Sequence, residues 1–400
     1  MTALLGVDEA QARLLAGVVP LPREEAGFAA ALGRILAADV VARLTQPPFA
    51  ASAMDGYAIR WDDLPGPWRV TGESAAGRRF AGTIGAGEAV RILTGAPLPE
   101  GADTVVVQED VRRDRDALDL AGDGPPRRGA HIRLSGLDFT VGTTIATAGE
   151  RVTPARIGVA AAAGHAVLPV HRRPRVALLA TGDELVMPGT TPGPDAIVSS
   201  NGVMLAALLG SVAEVIDGGI VANTPAALSA AIDAHAAADV LVTIGGASVG
   251  DHDHVVPVLQ ALGAEIDFWR IALRPGKPML SGRLGQQRIV GLPGNPVSAF
   301  VCATLFVVPL LRALAGERAQ LPGTVGLRLA VDLPANGPRR DYLRARHADG
   351  SVTPATRQDS AMLHVLAASN VLIVREAEAP PVAAGTMVDC IVLDTISGVA

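Results

Sequence analysis

The chain has 400 residues, of which 49% are hydrophobic and 18% charged, and its 34 Lys+Arg against 40 Asp+Glu give a formal net charge of −6. This length predicts about two to four domains with apolar material for several cores, and the composition excludes a chain that is disordered throughout. The acidic balance offers no overall basic field for nucleic acid, and 3% aromatic residues are too few for a surface that stacks single-stranded bases.

Residues 1–44 and 140–172 are predicted to form one linking domain of mixed helical and β structure. Apolar residues spaced for one face of a helix predict helices across residues 4–42, interrupted at the sequence VPLPRE. An Ala-rich helix is predicted from Pro154 to Gly164. The first residues carry no cationic cluster, so no secretory signal is expected.

Residues 45–139 are predicted to form a β-rich domain. Short β-type runs such as WRVTG, AVRIL and TVVVQEDV alternate with Gly and Pro turns, and residues 112–128 are polar and predict turns. Asp55 in the sequence MDGY and Thr94 in LTGAP lie in such turns. Alone, these side chains are typical of β-turn chemistry, but they could also form one wall of a site shared between subunits.

Residues 173–318 are predicted to form a central α/β domain. Apolar β-type runs (RVALLAT, AEVIDGGIV, DVLVTI, IDFWRIAL and RIVGL) alternate with predicted helices over residues 201–209, 225–237, 255–262 and 296–315. Thr224 and Pro225 are a helix cap and an opening proline. This alternation predicts βαβ units and a largely parallel sheet.

Residues 319–400 lose the helical pattern. Four alternating runs, GLRLAVDL, YLRARHA, VLIVREA and DCIVLDT, predict a small C-terminal β-barrel domain, with a β-sandwich as the alternative. The cysteines are Cys302 and Cys390, which we expect to be buried free thiols in a reducing compartment. The longest mostly apolar stretch, Val297–Leu311, is about 15 residues, whereas a bilayer span needs about 20. We therefore expect a soluble cytoplasmic protein with no membrane partner.

Three predicted strands end in polar, Gly-rich sequences. These are TGDE at 181–184, GGASVGDHD at 245–253 and GLPGNP at 291–296. Ligands of parallel sheets bind beyond the carboxyl ends of strands, where helix N-termini offer free N–H groups. Each sequence alone is more often a tight turn or a helix cap, such as Asn295 before Pro296, but three at equivalent positions predict an anion site.

Charged residues extend this predicted site. Arg270, Arg274 and Lys277 are expected to cluster, with both arginines on one face of an extended segment, and so to bind a phosphate or another oxyanion. The alternative is a solvated basic strand edge. Carboxylates at Glu184 and in the sequence DHDH (Asp251 and Asp253) suit Mg²⁺ beside phosphates, whereas His252 and His254 have no third soft ligand nearby.

The motifs SAMDGYA, RILTGAPLPEGADTVV, ATGDELV, SNGVML, TIGGASVGDHD, RPGKP and GLPGNPVSAFV occur in this order. Together they resemble the MoeA-type molybdenum insertases, the molybdopterin molybdenumtransferase family that includes the E domain of gephyrin. The resemblance spans residues 5–395. It implies a homodimer whose cleft lies between the α/β domain of one subunit and the β domain of the other. It also implies transfer of molybdenum from molybdate to adenylylated molybdopterin, with Mg²⁺ as cofactor and AMP released.

The resemblance implies a set of functional residues. The catalytic residues would be Asp55, Thr94, Glu184 and Asp253. The metal ligands would be Glu184, Asp253 and Asp138. The substrate-binding residues would be Ser248, Arg270, Arg274, Lys277, Pro293, Gly294, Asn295, Pro296, Arg340 and Ser360. Further partners would be molybdopterin adenylyltransferase and the enzymes that receive the cofactor.

The sequence departs from the family at two places. Asn223-Thr224 stands where many relatives have an acidic pair, and Arg270 and Arg274 stand where relatives have lysines. Two cysteines cannot hold molybdenum, so the soft sulfur ligands must come from the dithiolene of the substrate. A molybdopterin adenylyltransferase and a non-catalytic scaffold stay as alternatives, and the choice between molybdate and tungstate stays open.

Overall fold

The computed structural model describes residues 4–246 and 254–394. The chain divides into two units, one of Met1–Glu24 with His171–Ala400 and the other of Glu25–Val170. The first unit begins with helix α1 (Val7–Leu15). The division into four domains stays a prediction.

The unit Glu25–Val170 is built mainly from short strands. They are β1 (Arg23–Gly27), β2 (Val40–Val41), β3 (Ala51–Ser52), β4 (Gly56–Ile59), β5 (Trp68–Ser74), β6 (Glu88–Ile92), β7 (Thr104–Val107), β8 (Val111–Asp114), β9 (Ala117–Leu120), β10 (Ile132–Arg133), β11 (Thr144–Ala146) and β12 (Val167–His171). Six of them form a sheet in the order β7-β4-β6-β5-β9-β8. Every residue of β4 is buried, because apolar clusters cover both faces of the strand. The expected β-rich region is confirmed.

The predicted helices in residues 4–42 are wrong beyond α1. Only Phe28–Ala31 (α2) is helical there, and Gly33 follows with a positive φ of 77°. Ile35 and Leu36 are buried without lying on a helix, and each forms an isolated β-bridge, Ile35 with Arg151 and Leu36 with Val170. Helix α3 (Pro154–Ala162) is confirmed, with the Thr153 hydroxyl accepting from Arg156 N. Residues 112–128, predicted as turns, include the β8/β9 hairpin.

The other unit contains a mixed sheet with helices. Its strands are β13 (Arg175–Thr181), β14 (Leu185–Val186), β15 (Ile197–Val198), β16 (Glu214–Val221), β17 (Val240–Ile244), β18 (Glu265–Arg270), β19 (Leu273–Arg274), β20 (Pro278–Leu284) and β21 (Gln287–Leu292). The sheet order is β16-β13-β17-β21-β20-β18. The first four strands are parallel and the last two join antiparallel, which confirms a largely parallel sheet.

Helices cover this sheet at the predicted places. They are α4 (Ser200–Leu209), α5 (Pro225–Ala234), α6 (Val255–Ala261), α7 (Pro296–Cys302) and α8 (Val308–Leu314), with a π-helical turn at Ala303–Val307 between the last two. The predicted strand IDFWRIAL is wrong as a single strand, because β18 belongs to this sheet and β19 pairs with a strand farther along the chain. The antiparallel strand β20 was not predicted.

The apolar helix Pro296–Leu314 is long enough to cross a membrane by length and composition, but 89% of its apolar window is buried inside the protein. It lies in the largest apolar cluster, where Phe306 and Leu310 are fully buried. The helix is therefore a core helix of this fold. Cys302 on this helix is a buried free thiol, as is Cys390, which confirms that both thiols are free and buried, while the reducing compartment stays a prediction.

The C-terminal strands close into a barrel. They are β22 (Val325–Leu329), β23 (Arg340–Ala348), β24 (Ser351–Pro354), β25 (Val371–Arg375) and β26 (Met387–Val392). The order β23-β24-β22-β26-β25 returns to β23, and β19 is added beside β23. The predicted small barrel is confirmed. Strand β24 and the short helix α9 (Leu363–Ala367) were not predicted.

Candidate functional site

A cavity of about 780 Å³ lies where the parallel strands β13, β17 and β21 end. Its walls come from the three predicted loops and from residues of α4 and the barrel segment. The lining residues include Thr181, Gly182, Glu184, Ser199, Ser200, Asn201, Asn223, Gly245, Gly246, Pro278, Pro293, Gly294, Asn295, Pro296 and Ala361. The structure thus brings Glu184 together with the whole 293–296 turn. The reason is topological, because the carboxyl ends of parallel strands meet at one edge of the sheet.

Two glycines allow these loops to approach each other. A Cβ at Gly182 would lie 2.5 Å from Oε2 of Glu184, so the carboxylate folds back over a backbone that has no side chain. Gly245 has a φ of +90°, and a Cβ there would lie 2.7 Å from the carbonyl oxygen of Thr181. Any larger residue at either position would push the loop or the carboxylate out of place.

The 293–296 turn is held by side chains from outside it. Asn201 of α4 donates from Nδ2 to the carbonyl oxygen of Gly294 at 2.6 Å. Its Oδ1 is buried and has no hydrogen-bond partner among the described residues. Such an acceptor in a cavity wall is suited to an N–H or O–H group of a ligand, since an unpaired buried polar atom costs free energy.

The prediction that the Asn295 side chain caps helix α7 is wrong. Asn295 does occupy the N-cap position of α7, but its side chain makes no cap hydrogen bond. Instead, Nδ2 donates to the hydroxyl oxygen of Ser360 at 2.9 Å, and Val297 N donates to the Ser360 carbonyl at 3.1 Å. One backbone donor predicted to be free for an anion is therefore occupied. The structure thus brings Ser360 to the 293–296 turn, while its role in binding substrate stays a prediction.

The basic residues lie beside one wall of the cavity. Pro278 lines the cavity, Arg270 is its direct partner on the neighbouring strand, and Lys277 precedes it in the chain. Arg274 pairs with the carboxylate of Asp341. All three cations are exposed. The expectation that one extended segment carries both arginines is wrong, because Arg270 lies in β18 and Arg274 in β19, which belong to different sheets.

Arg340 lies in ion pairs that occupy its side chain. It donates to Asp8 at 2.6 and 2.8 Å and to Glu376 at 2.8 Å, and the first of these partners raises the pKa of Arg340 most. The structure does not bring it to the cavity wall. The preceding residue, Arg339, donates to the carbonyl of Leu273 at 3.4 Å and so lies next to Arg274.

Asp55 and Thr94 meet in the unit Glu25–Val170. The backbone N–H and the hydroxyl of Thr94 both donate to Oδ1 of Asp55, at 2.7 and 2.8 Å. These hydrogen bonds, with a smaller contribution from Arg91, lower the pKa of Asp55 below its usual value. The site is an exposed carboxylate kept ionised. Asp138 of the same unit is exposed, and its backbone N–H donates to the carbonyl of Gln46.

Several predicted residues fall on positions that the structure does not describe. Ser248, Asp251, His252 and Asp253 lie outside the described residues. Among the residues that are described, no group of three or more His, Cys, Asp or Glu side chains is placed to hold a metal ion.

From the sequence, no site role is predicted for Asn201 or Asp341, and Asn223 is named only as a departure from the family. Asn223 follows β16 of the parallel sheet, so its position at the same sheet edge was the available signal. Asn201 lies in the first turn of α4, after β15 of a separate two-stranded sheet, and no strand end of the parallel sheet indicates it. Asn223 N donates to Asp183 Oδ1 at 3.0 Å. Asp341 lies on a barrel strand 67 residues after Arg274, and no local pattern indicates that contact.

Comparisons with known proteins cover almost the whole chain. The MoeA N-terminal region (domains I and II) matches residues 5–164, the "probable molybdopterin binding domain" matches 177–313, and the MoeA C-terminal region (domain IV) matches 326–393. A molybdopterin molybdenumtransferase of Haemophilus influenzae is 34% identical over 96% of this chain and 98% of its own length. One from a Nostoc species is 38% identical over 78% of this chain and 74% of its own.

A solved structure gives the same result for the fold. The molybdopterin biosynthesis moeA protein of Pyrococcus horikoshii OT3 superimposes with a TM-score of 0.84 at 25% identity. It covers 98% of this chain and 100% of its own.

Proposed function

Because the chain belongs to the MoeA family of molybdopterin molybdenumtransferases, and so is a transferase of molybdenum cofactor biosynthesis, we propose the reaction that it catalyses. It transfers molybdenum from molybdate to the dithiolene of adenylylated molybdopterin and releases AMP. The observation that carries this proposal is the cavity that joins Glu184 to the 293–296 turn. Its volume of about 780 Å³ is in the range of cavities that enclose a cofactor-sized ligand.

The chain's own residues handle oxygen-rich groups and offer no sulfur ligand. Cys302 and Cys390 are fully buried, and burial raises the pKa of both thiols, that of Cys390 to about 11. Neither offers a thiolate to a metal. Molybdenum therefore takes its soft ligands from the substrate's dithiolene. The protein binds the anions: Arg270, Arg274 and Lys277 bind molybdate, and the guanidinium fork suits a tetrahedral oxyanion.

The described residues could bind Mg²⁺ only if the substrate supplied some of its ligands. Glu184 is the carboxylate that lines the cavity, and the described residues contain no cluster of three metal-binding side chains. Mg²⁺ is commonly held by one or two carboxylates together with substrate phosphates and water. Glu184 would then hold the ion, with Asp253 as the further predicted ligand of the same unit, and the ion would neutralise phosphate charge. The role of Asp138, in the other unit, stays a prediction.

The remaining roles rest on the other unit. Asp55 is held ionised by Thr94, and we propose that this pair acts in the cavity of a second copy within a homodimer. Ser248 and the 293–296 turn would bind the substrate's phosphate, with Ser360 supporting that turn. The protein would work in the cytoplasm and exchange substrate and product with molybdopterin adenylyltransferase and with cofactor-receiving enzymes.

The test replaces the cavity carboxylate without changing its shape. Glu184→Gln should lower AMP release from adenylylated molybdopterin at least about 100-fold, as expected for removal of a group that acts in the transition state. Glu265→Gln is the matched control, because Glu265 is an exposed glutamate of the same sheet and does not line this cavity. Circular dichroism is used to check that both variants fold. Undiminished AMP release by Glu184→Gln would remove Glu184 from the reaction.

A further inference from the structure

Arg274 differs from Arg270 and Lys277 because, among the described residues, it alone of the three pairs with a carboxylate. Its Nη2 donates to Oδ2 of Asp341. The side chain of Arg274 is 55% exposed, whereas that of Asp341 is only 3% exposed. The pair therefore joins a buried anion to a cation that still faces solvent. Aspartates are almost never this buried unless they are paired.

Asp341 depends on Arg274 for its pairing. Its second oxygen, Oδ1, is buried and has no hydrogen-bond partner among the described residues. Arg375 lies directly opposite Asp341 on β25, but it donates to the carbonyls of Pro334 and Pro380 instead. If Arg274 swung away, Asp341 would be left as a buried and unpaired charge, which is strongly unfavourable. The carboxylate therefore restrains the arginine.

The backbone of Arg274 is also fixed. Arg274 and Asp341 are register partners in the parallel pairing of β19 with β23. Two residues later, a Cβ at Gly276 would lie 2.5 Å from Sγ of Cys302, so this segment lies directly against helix α7. Helix α7 begins at the cavity turn, and Pro278 of the same segment lines the cavity. Both ends of the Arg274 side chain are thus held relative to the cavity wall.

We infer that Asp341 is a positioning residue, which holds the guanidinium of Arg274 in one orientation so that its remaining N–H groups bind the oxyanion substrate. Asp341 uses one edge of the guanidinium, and the described residues provide no hydrogen-bond acceptor for Nε or Nη1 of Arg274. An exposed arginine without this restraint would lose rotamer freedom at each binding event. The inference rests on the proposed function, because it takes Arg274 to contact molybdate.

The experiment measures KM for molybdate and kcat in a reconstituted insertion assay. The variants are Asp341→Asn, Arg274→Ala and the double variant. Asp341→Asn should raise KM for molybdate about tenfold with little change in kcat, which is the loss expected when one long side chain must be ordered on binding. The double variant should match Arg274→Ala, because both substitutions remove the same interaction. Calorimetric titration with molybdate alone should show the same order of affinities.

Glu376→Gln is the matched control. It removes a carboxylate partner of Arg340, the residue beside Asp341 on β23, without touching Arg274. Its KM for molybdate should equal that of the unmodified protein. If Asp341→Asn does not fold, Asp341→Glu keeps the charge, moves the carboxylate by one methylene and should still raise KM.

The outcomes separate two kinds of failure. If Arg274→Ala raises KM but neither Asp341 variant does, the positioning role is wrong while the proposed function stands. A fall in KM for Asp341→Asn also overturns the positioning role, because it would mean that Asp341 masks the charge of Arg274. If Arg274→Ala leaves KM unchanged, the assignment of Arg274 to the oxyanion fails, and the inference fails with it.

Discussion

Replacing the buried Arg344 by Met should destabilise the barrel and loosen the cavity turn together. Arg344 is fully buried, and no ion pair joins it to a described carboxylate. Its Nε and Nη2 donate to Oε1 of Gln358 at 3.1 and 3.0 Å, and Nη1 donates to the Asp359 carbonyl at 2.6 Å. These bonds fix the segment that ends in Ser360, the acceptor of the hydrogen bond from Asn295.

The expected loss of stability is estimated from the hydrogen bonds that Arg344→Met removes and from those that remain. Hydrogen bonds that involve a charged group contribute about 1.5–3 kcal/mol each, and Arg344→Met removes those to Gln358 and Asp359. Gln358 Oε1 keeps the backbone N–H of residue 344 at 3.0 Å. Burial lowers the pKa of Arg344, so removing the charge recovers part of the loss. We expect a net destabilisation of about 2–3 kcal/mol.

Thermal unfolding of the full chain measures this loss. For a unit of this size, 1 kcal/mol corresponds to about 2–4 °C, so Arg344→Met should lower Tm by about 4–12 °C. Arg346→Met is the matched control, because Arg346 is exposed on the same strand and should stay within about 0.5 kcal/mol. If the two variants unfold at the same temperature, the Gln358–Asp359 contacts do not stabilise the fold and this reasoning is refuted.

Three further predictions concern single side chains. Thr94→Val removes one of two donors to Asp55, so the pKa of that carboxyl should rise toward its usual value and its ionised form should appear only at higher pH; an unchanged midpoint in an NMR titration contradicts this. Thr224→Ala removes the cap of α5 and should cost about 1 kcal/mol in chemical denaturation, whereas Thr224→Ser should be close to neutral. At pH 8 a thiol reagent should label neither Cys302 nor Cys390 in the folded protein and both after unfolding, and labelling of the native protein would refute their protection.

Much of the α/β architecture could be predicted because its signals are local. Buried parallel strands are continuous apolar runs, as in VALLA of β13, and Thr224-Pro225 is a start signal that acts within four residues. Helical spacing of apolar residues gave a wrong prediction for Phe28–Leu36. Apolar residues three or four positions apart can also reach a core when the chain bends between them. There Gly33, with its positive φ, ends the helix after one turn.

The candidate site was predictable only in part, and for the same reason. The loops after β13, β17 and β21 could be placed together because topology brings the ends of parallel strands to one edge. The contacts of Asn295 with Ser360 and of Arg274 with Asp341 join residues 65 and 67 positions apart. Which barrel residue meets which loop depends on the packing of the barrel against α7, and no periodicity in the sequence encodes that register.

Strand β23 of the barrel contacts both the segment of Arg274 and the segment of Ser360. Asp341 and Arg344 are three positions apart on it, so their side chains leave opposite faces of the strand. Tyr342 shares the face of Arg344 and packs in the large apolar cluster of the α/β sheet, whereas Ala345 shares the face of Asp341 and packs inside the barrel. One charged residue thus reaches Arg274 and the other reaches the segment of Ser360. A distortion of β23 would therefore shift Arg274 and the segment of Ser360 together, whereas a change on the exposed turns of the barrel would shift neither.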